Sequence, residues 1–386
     1  MTATLLFFSV GNGDMTLIET ESGHQILIDL NIRAGADDPD DDTPDVASVL
    51  RERLRRDAEG RLYVDALLVS HPDKDHCTGL QQHFHLGLPS EWSEKGDKII
   101  IREIWSSPMV FRRASRHHVL CDDAKAFNAE ARRRVKKFRE TAWLVGDGDR
   151  ILILGEDEDG KTDDLEDILI RVDQEFSCVN GQNDWSMSVR LLGPLPKTDD
   201  EDEELLSKNN SSTILWFSLA GGGIADKCRF LTGGDAEVAV WERLWQRHQW
   251  RTEWLSYDLL QAPHHCSWHS LSYDSWSDLG EDAKVCWEAR NALSQARSGA
   301  SIVASSDPIK DDDNDPPCIR AKREYVSIAD GVKGVFKCVG EYPSEQSPDV
   351  MEFEIGENGT RLKTKLMTAT TVLGAGSIGR QPHSHG

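Results

Sequence analysis

The chain has 386 residues, 67 of them Asp or Glu and 44 Lys or Arg, for a formal net charge of −23. That length holds one large domain with insertions or two smaller ones. The acidic balance argues against generic nucleic-acid binding, which draws on Lys and Arg. No apolar run reaches the roughly 20 residues of a membrane span, because the longest, Ile214 to Ala225, is broken by three glycines. The N-terminus has neither the positive region nor the cleavage site of a signal peptide, so none is expected. Eight scattered cysteines without a Cys-x-x-Cys pair predict free thiols and a cytoplasmic protein.

In chain order, TLLFFSV (4–10), MTLIET (15–20) and HQILIDL (24–30) read as consecutive hairpin strands, with Gly11-Asn12-Gly13-Asp14 as the first turn. An acidic loop (36–45) leads into a helix over about 46–57, started by Thr43-Pro44-Asp45. VDALLVS (64–70) is a buried strand that ends in HPDKDHCTG. A helix at 78–86 and a strand KIIIREIW (98–105) come next, then a basic segment whose second half, Ala124–Glu140, is helical in composition. Acidic runs at 156–166 and 198–204 read as solvated loops. A second batch of strands comprises SMSVRLLG (186–193), STILWFSL (212–219) and KCRFLTGG (227–234). The helix Ala236–Gln249 follows, then YDLLQAP (257–263), which ends in His264-His265, and a late strand SIVASS (301–306). Two batches of strands interleaved with helices predict an α+β class with stacked sheets. The Gly/Ser-rich tail after about residue 369 is expected to be mobile.

Charge is unevenly spread. Residues 112–139 hold ten Lys/Arg (Arg112, Arg113, Arg116, Lys125, Arg132, Arg133, Arg134, Lys136, Lys137, Arg139) and three acids, a net +7 on a body of −30. Such an island either serves an anionic substrate or pairs with the chain's own acidic loops.

The sharpest chemical signal is His71-Pro72-Asp73-Lys74-Asp75-His76, directly after a buried strand. Two carboxylates held this close repel, and a divalent cation is the usual remedy. Asp235 follows a strand through Gly233-Gly234, and His264/His265 follow another. Singly, each has a plainer explanation: Asp235 as a helix cap, the His pair as a packing feature. Three ligand clusters, each after a strand, point to one metal centre.

With these residues in place, the chain resembles a metallo-β-lactamase-fold hydrolase of the HxDxDH type, most similar to the hydrolase domain of the ComEC DNA-uptake channel and its stand-alone relatives. The matching pieces are VGNGDMTLIE with HQILIDL, LLVSHPDKDHCTGL, LLGP with KNNSSTILWFSL, FLTGGDAE and LLQAPHHCSWHS, spread in order through residues 4–310. The resemblance implies an αββα sandwich with insertions. Residues 1–340 would form the hydrolase domain, with a basic insertion near 107–150 and a Trp-rich one near 268–300, and 341–386 a C-terminal extension. It further implies that His71 and Asp73 hold one metal, that Asp75, His76 and His265 hold a second, and that Asp235 bridges them. His264 is the second choice to His265, and Asp29 and Asp14 would orient ligands.

The chain also departs from the family. Asp73 stands where many relatives have His, which tilts two divalent ions toward Mn²⁺ or Mg²⁺ as alternatives to Zn²⁺. Asn209 and Asn210 occupy the stretch of a third-motif His, Cys266 replaces a glycine, and Asp315-Pro316-Pro317 stands where channel relatives have Gly-His-Pro.

The expected activity is metal-assisted hydrolysis of a phosphodiester in DNA, RNA or a small nucleotide, with Asp75 and Asp235 as catalytic groups. Hydrolysis of another bond (peptide, thioester, lactone) is an alternative. So is a partner-activated effector subunit of a multi-protein system such as phage defence, with the acidic loops and Trp-rich insertion as docking surfaces. Most of the twelve tryptophans read as core, with Trp268 a candidate base-stacking platform.

Overall fold

A computed structural model describes residues 1–37, 40–108, 120–142, 144–156, 160–195 and 211–364. The expected basic residues Arg112, Arg113 and Arg116, the acidic run 198–204, Asn209, Asn210 and the tail after residue 369 lie outside these. The chain is a mixed α/β structure with two large sheets and, among the described residues, eight α-helices. Among the described residues no helix is long and apolar enough to cross a membrane.

The first sheet runs in the order Arg150–Leu154, Ile99–Ser106, Leu62–Val69, Gln25–Ile28, Thr16–Glu19, Ala3–Phe7, Met351–Gly356, Gly359–Leu362, with short strands added at and beside this path. From Gln25–Ile28 to Arg150–Leu154 neighbouring strands are parallel, and on the other side they are antiparallel. Met351–Gly356 pairs with the first strand, so these late residues, which the sequence reading sets in a C-terminal extension, complete the first sheet. The second sheet has the order Glu175–Phe176, Met187–Gly193, Ile214–Gly221, Ile224–Leu231, Tyr257–Gln261, Ala296–Ala304, Val335–Cys338. Its last four strands are mutually parallel.

Alternation along the strands explains the cores. Leu5, Phe7, Ala66 and Leu68 join Val189, Phe217, Phe230 and Leu259 of the second sheet in one buried cluster. The Phe7 and Phe230 rings meet edge to face at 5.8 Å. Leu67 and Val69, pointing the other way, pack with Leu50, Phe127 and Val135 from helices Val46–Arg53 and Asp122–Thr141. Leu231 and Leu260 similarly pack with Trp241, Leu244 and Tyr325 from helices Val238–His248 and Ile319–Gly331.

The expected helix at 78–86 is instead two four-residue turns, Lys74–Cys77 and Leu80–His83. Gly79 separates them at φ +92°, and a Cβ there would sit 2.8 Å from Ile32 Cβ, so only glycine fits the bend.

A polar clasp ties the sheets together at the hairpin turn. Thr20 Oγ1, Ser22 Oγ and His24 Nδ1 converge on Asp184 Oδ2 at 2.8, 2.6 and 2.8 Å. The bond to Asp184 outweighs burial and raises the His24 pKa, while the clasp's donors outweigh burial and hold the Asp184 carboxyl below its usual range. A raised His pKa means stability that is full below about pH 6.5 and is lost as pH rises through the folded-state value. His24→Asn is therefore expected to lower stability by roughly 1–2 kcal/mol at pH 5.5. The wild-type-minus-mutant difference in urea midpoint should shrink toward pH 9. A difference that grows with pH would contradict the charged pair.

Candidate metal centre

The parallel halves of both sheets send their carboxyl ends to one edge, where ligand sites of open α/β sheets lie. Strand Leu62–Val69 ends at Ser70-His71, Ile224–Leu231 leads to Asp235, Tyr257–Gln261 leads to His264-His265, and Ala296–Ala304 leads to Ser305. Asp29 follows Gln25–Ile28 at φ +54°. The two sheets are joined here, with Thr213 N–H donating to the Ser70 carbonyl at 2.9 Å.

All seven sequence-predicted site residues come together, and Asp235 is their centre. Its Oδ1 lies 3.0 Å from His76 Nε2 and 3.4 Å from His265 Nε2, and His265 Nε2 lies 3.4 Å from Asp75 Oδ2. Its Oδ2 lies 3.6 Å from His71 Nε2 and 3.7 Å from His264 Nε2, with Asp73 Oδ2 3.9 Å from His71 Nε2. His264 and His265 thus face different oxygens of Asp235. Three consecutive left-handed residues make that possible: His264, His265 and Cys266 have φ of +50°, +52° and +70°. A non-glycine residue pays about 1–3 kcal/mol for such strain and keeps it only where neighbours fix it. Cys266, buried in the second sheet's core, is pinned by Cys318 N–H donating to its carbonyl at 3.0 Å.

Gly233 and Gly234 admit Asp235. At Gly233 a Cβ would lie 2.8 Å from Pro263, and Gly234 has φ +45° with Ser212 Cβ 3.0 Å from where its own Cβ would be.

Behind the ligands, Asp29 Oδ2 accepts from His76 Nδ1 at 2.9 Å and from Ser70 Oγ at 2.7 Å, and its Oδ1 accepts from Ser70 N–H. Asp14 Oδ1 lies 3.4 Å from His265 Nδ1, which also points at the Ser305 carbonyl at 3.1 Å. Ser70, Ser212 and Ser305 escape the sequence reading. Ser70 and Ser305 share the strand-end position that marks the ligands, but a serine carries no metal signal of its own.

Burial pushes the His76 pKa down, yet Asp235 and Asp29 lift it well above the ordinary value. Burial is likewise outweighed at His265, which Asp235 and Asp14 lift to about 10. His71 falls, through burial and the positive charge of His76. Burial favours a neutral Asp235, but His76, His265 and His71 hold it well below the carboxylate range. Asp75 is also lowered, as His265, 3.4 Å away, and His76 overcome its burial. Without an ion, protons on imidazoles balance the carboxylates, and a bound cation takes over that role.

The donor set fits a metal. Ligand atoms of Asp75, His76, Asp235 and His265 lie within 4.8 Å of one another. The Nε2 atoms of His71, His76 and His265, together with Asp235 Oδ1, are buried without a hydrogen-bond partner. Buried polar atoms are seldom left so, and those of His76, His265 and Asp235 belong to one group that could hold a cation.

Other expected participants are placed elsewhere. Cys77 is buried, its thiol 2.9 Å from the Asp73 carbonyl and 3.7 Å from Cys121 Sγ, so it packs behind the loop. Trp268 is fully buried, with Nε1 donating to the Asp274 carbonyl at 2.9 Å, which excludes it as a stacking platform. Asp315 accepts from Trp268 N–H at 3.0 Å, and the Pro316 carbonyl from Asn12 Nδ2 at 3.4 Å, so this segment packs against the turn that carries Asp14.

No protein-family model matches this chain, and no curated protein matches it. Among solved structures it is similar to isothiocyanate hydrolase from Delia radicum gut bacteria, at 14% identity over 90% of this chain and 99% of that chain, with a TM-score of 0.37. A likeness of that size carries neither fold nor activity across.

Proposed function

We propose that the chain is a dinuclear metal-dependent hydrolase of the metallo-β-lactamase fold, an αββα sandwich, acting on phosphodiesters of DNA, RNA or a small nucleotide in the cytoplasm. The observation that carries the reading is Asp235, whose two oxygens each face a separate ligand set. His71, Asp73 and His264 would hold one ion, Asp75, His76 and His265 the other, and Asp235 both. Two divalent ions there would supply a nucleophile at neutral pH and stabilise charge on the departing group's side. Three carboxylates among seven ligands suit Mn²⁺ or Zn²⁺, with Mg²⁺ a third choice. Asp75, with its side chain 40% exposed, would be the ligand open to substrate and would orient the attacking water. Asp29 and Asp14 keep His76 and His265 turned toward Asp235.

The phosphodiester part rests on the resemblance of the motif series and on this hard-ligand chemistry. The test is hydrolysis of bis-p-nitrophenyl phosphate in Mn²⁺, with Asp75→Asn alongside. Wild-type turnover that falls by about 10²-fold or more in the mutant is expected. A metal-loaded wild type without turnover would overturn the phosphodiester assignment in favour of another bond or a partner-activated enzyme.

A further inference from the structure

The two halves of the site differ in what stands behind their imidazoles. His76 Nδ1 donates to a carboxylate, Asp29, at 2.9 Å with Ser70 Oγ at 3.3 Å, and His265 Nδ1 has the Ser305 carbonyl at 3.1 Å and Asp14 at 3.4 Å. Among the described residues His71 Nδ1 meets only hydroxyls, Ser70 Oγ at 3.2 Å and Ser212 Oγ at 3.4 Å. His264 Nδ1 is buried and has no hydrogen-bond partner among the described residues.

An anionic acceptor behind an imidazole fixes its tautomer and raises its basicity toward a metal, and a neutral acceptor does less. Resting on the two-ion reading above, we infer that the half-site of Asp75, His76 and His265 fills first and tightly. The half-site of His71, Asp73 and His264 takes its ion more weakly, and Ser70 and Ser212 are the positioning residues that set that weaker affinity.

The hydrogen bonds show how the serines act. Ser70 Oγ donates to Asp29 Oδ2 at 2.7 Å, and Ser212 Oγ accepts from Asp235 N–H at 3.1 Å. Each oxygen then has a lone pair for His71, so Nδ1 carries the proton and the Nε2 lone pair faces Asp235 Oδ2. Asp29 thereby orients both imidazoles of the loop, His76 directly and His71 through the Ser70 hydroxyl.

The test is titration of the metal-free full-length chain with Mn²⁺ by calorimetry and with Co²⁺ by visible absorption. Wild type is expected to bind two equivalents in resolved steps at least about tenfold apart. Ser212→Ala should weaken the second step by about 10–100-fold and leave the first in place, and Ser70→Ala, whose hydroxyl also neighbours His76, should weaken the second step more than the first. A structural lesion would not spare one step, and the intact first step shows that the variant is folded. Two equivalents of equal affinity in wild type, or variants that weaken both steps alike, would overturn the inference. A wild type that binds no metal would overturn the two-ion reading itself.

Discussion

Asp235→Asn is expected to lose both metal equivalents and to lower phosphodiester hydrolysis by at least about 10²-fold. The amide keeps one oxygen and turns a donor toward the other ligand set, where imidazole nitrogens need an anion between them. Asp235 is 3% exposed and reaches four imidazoles, so no water or neighbouring group takes its place. Asp73→Asn, whose carboxylate lies 3.9 Å from His71 Nε2, should cost one equivalent and spare the other. Metal content by mass spectrometry, read beside turnover, separates the two. Two retained equivalents in Asp235→Asn would remove Asp235 as the bridge.

Arg134→Ala is expected to destabilise the fold by about 3 kcal/mol or more, the cost of breaking a buried ion pair. Arg134 is 1% exposed; its Nε donates to Glu130 Oε1 at 2.8 Å, and its amino groups donate to the Arg150 and Ile101 carbonyls, each at 3.0 Å. Its loss takes one donor from Glu130, which keeps Arg133, and removes the donors from two strand carbonyls. Lys136→Ala should stay within about 0.5 kcal/mol, because Lys136 is exposed and only 3.9 Å from Glu140. Urea midpoints decide the matter, and an Arg134→Ala as stable as wild type would refute the structural role.

That contrast settles much of the basic island. Arg133 bonds Glu130 and Asp149, and Arg139 bonds Asp164 through Nε and one Nη, each at 2.7 Å. Of the expected pairing with the acidic loops, Arg139–Asp164 is present, whereas Arg133 and Arg134 pair with Glu130 of their own helix and Arg133 with Asp149. Charge reversal at Arg133 would therefore report on folding before substrate affinity. Lys125 and Lys136, both largely exposed, are the positions for a substrate test.

The candidate site was legible in the sequence to an unusual degree because its ligands are short-range features. Each cluster follows an apolar strand, and a strand that ends at a sheet edge must deliver its next residues there. His71 to His76, Asp235 and His264-His265 are visible for that reason, as are the hairpins of the first sheet. The helix at 78–86 was not, because the demand at Gly79 comes from Ile32, a contact made only once the chain has folded. Trp268 reads as an aromatic near a ligand, and only its burial shows it to be core.

By itself, then, the sequence determined which side chains meet at the edge, since strand period and strand end are local properties. Tertiary structure alone decided their arrangement. Which oxygen of Asp235 each imidazole meets depends on the left-handed turn at His264–Cys266, held by packing against the second sheet. Asp14, Asp29, Ser70 and Ser212 reach the ligands from separate strands, and partners brought together by sheet pairing leave no mark at any one place in the chain. Arg134 of the basic helix is buried for the same physical reason: a buried charge is stable only beside acceptors, and the Ile101 and Arg150 carbonyls reach it through the fold.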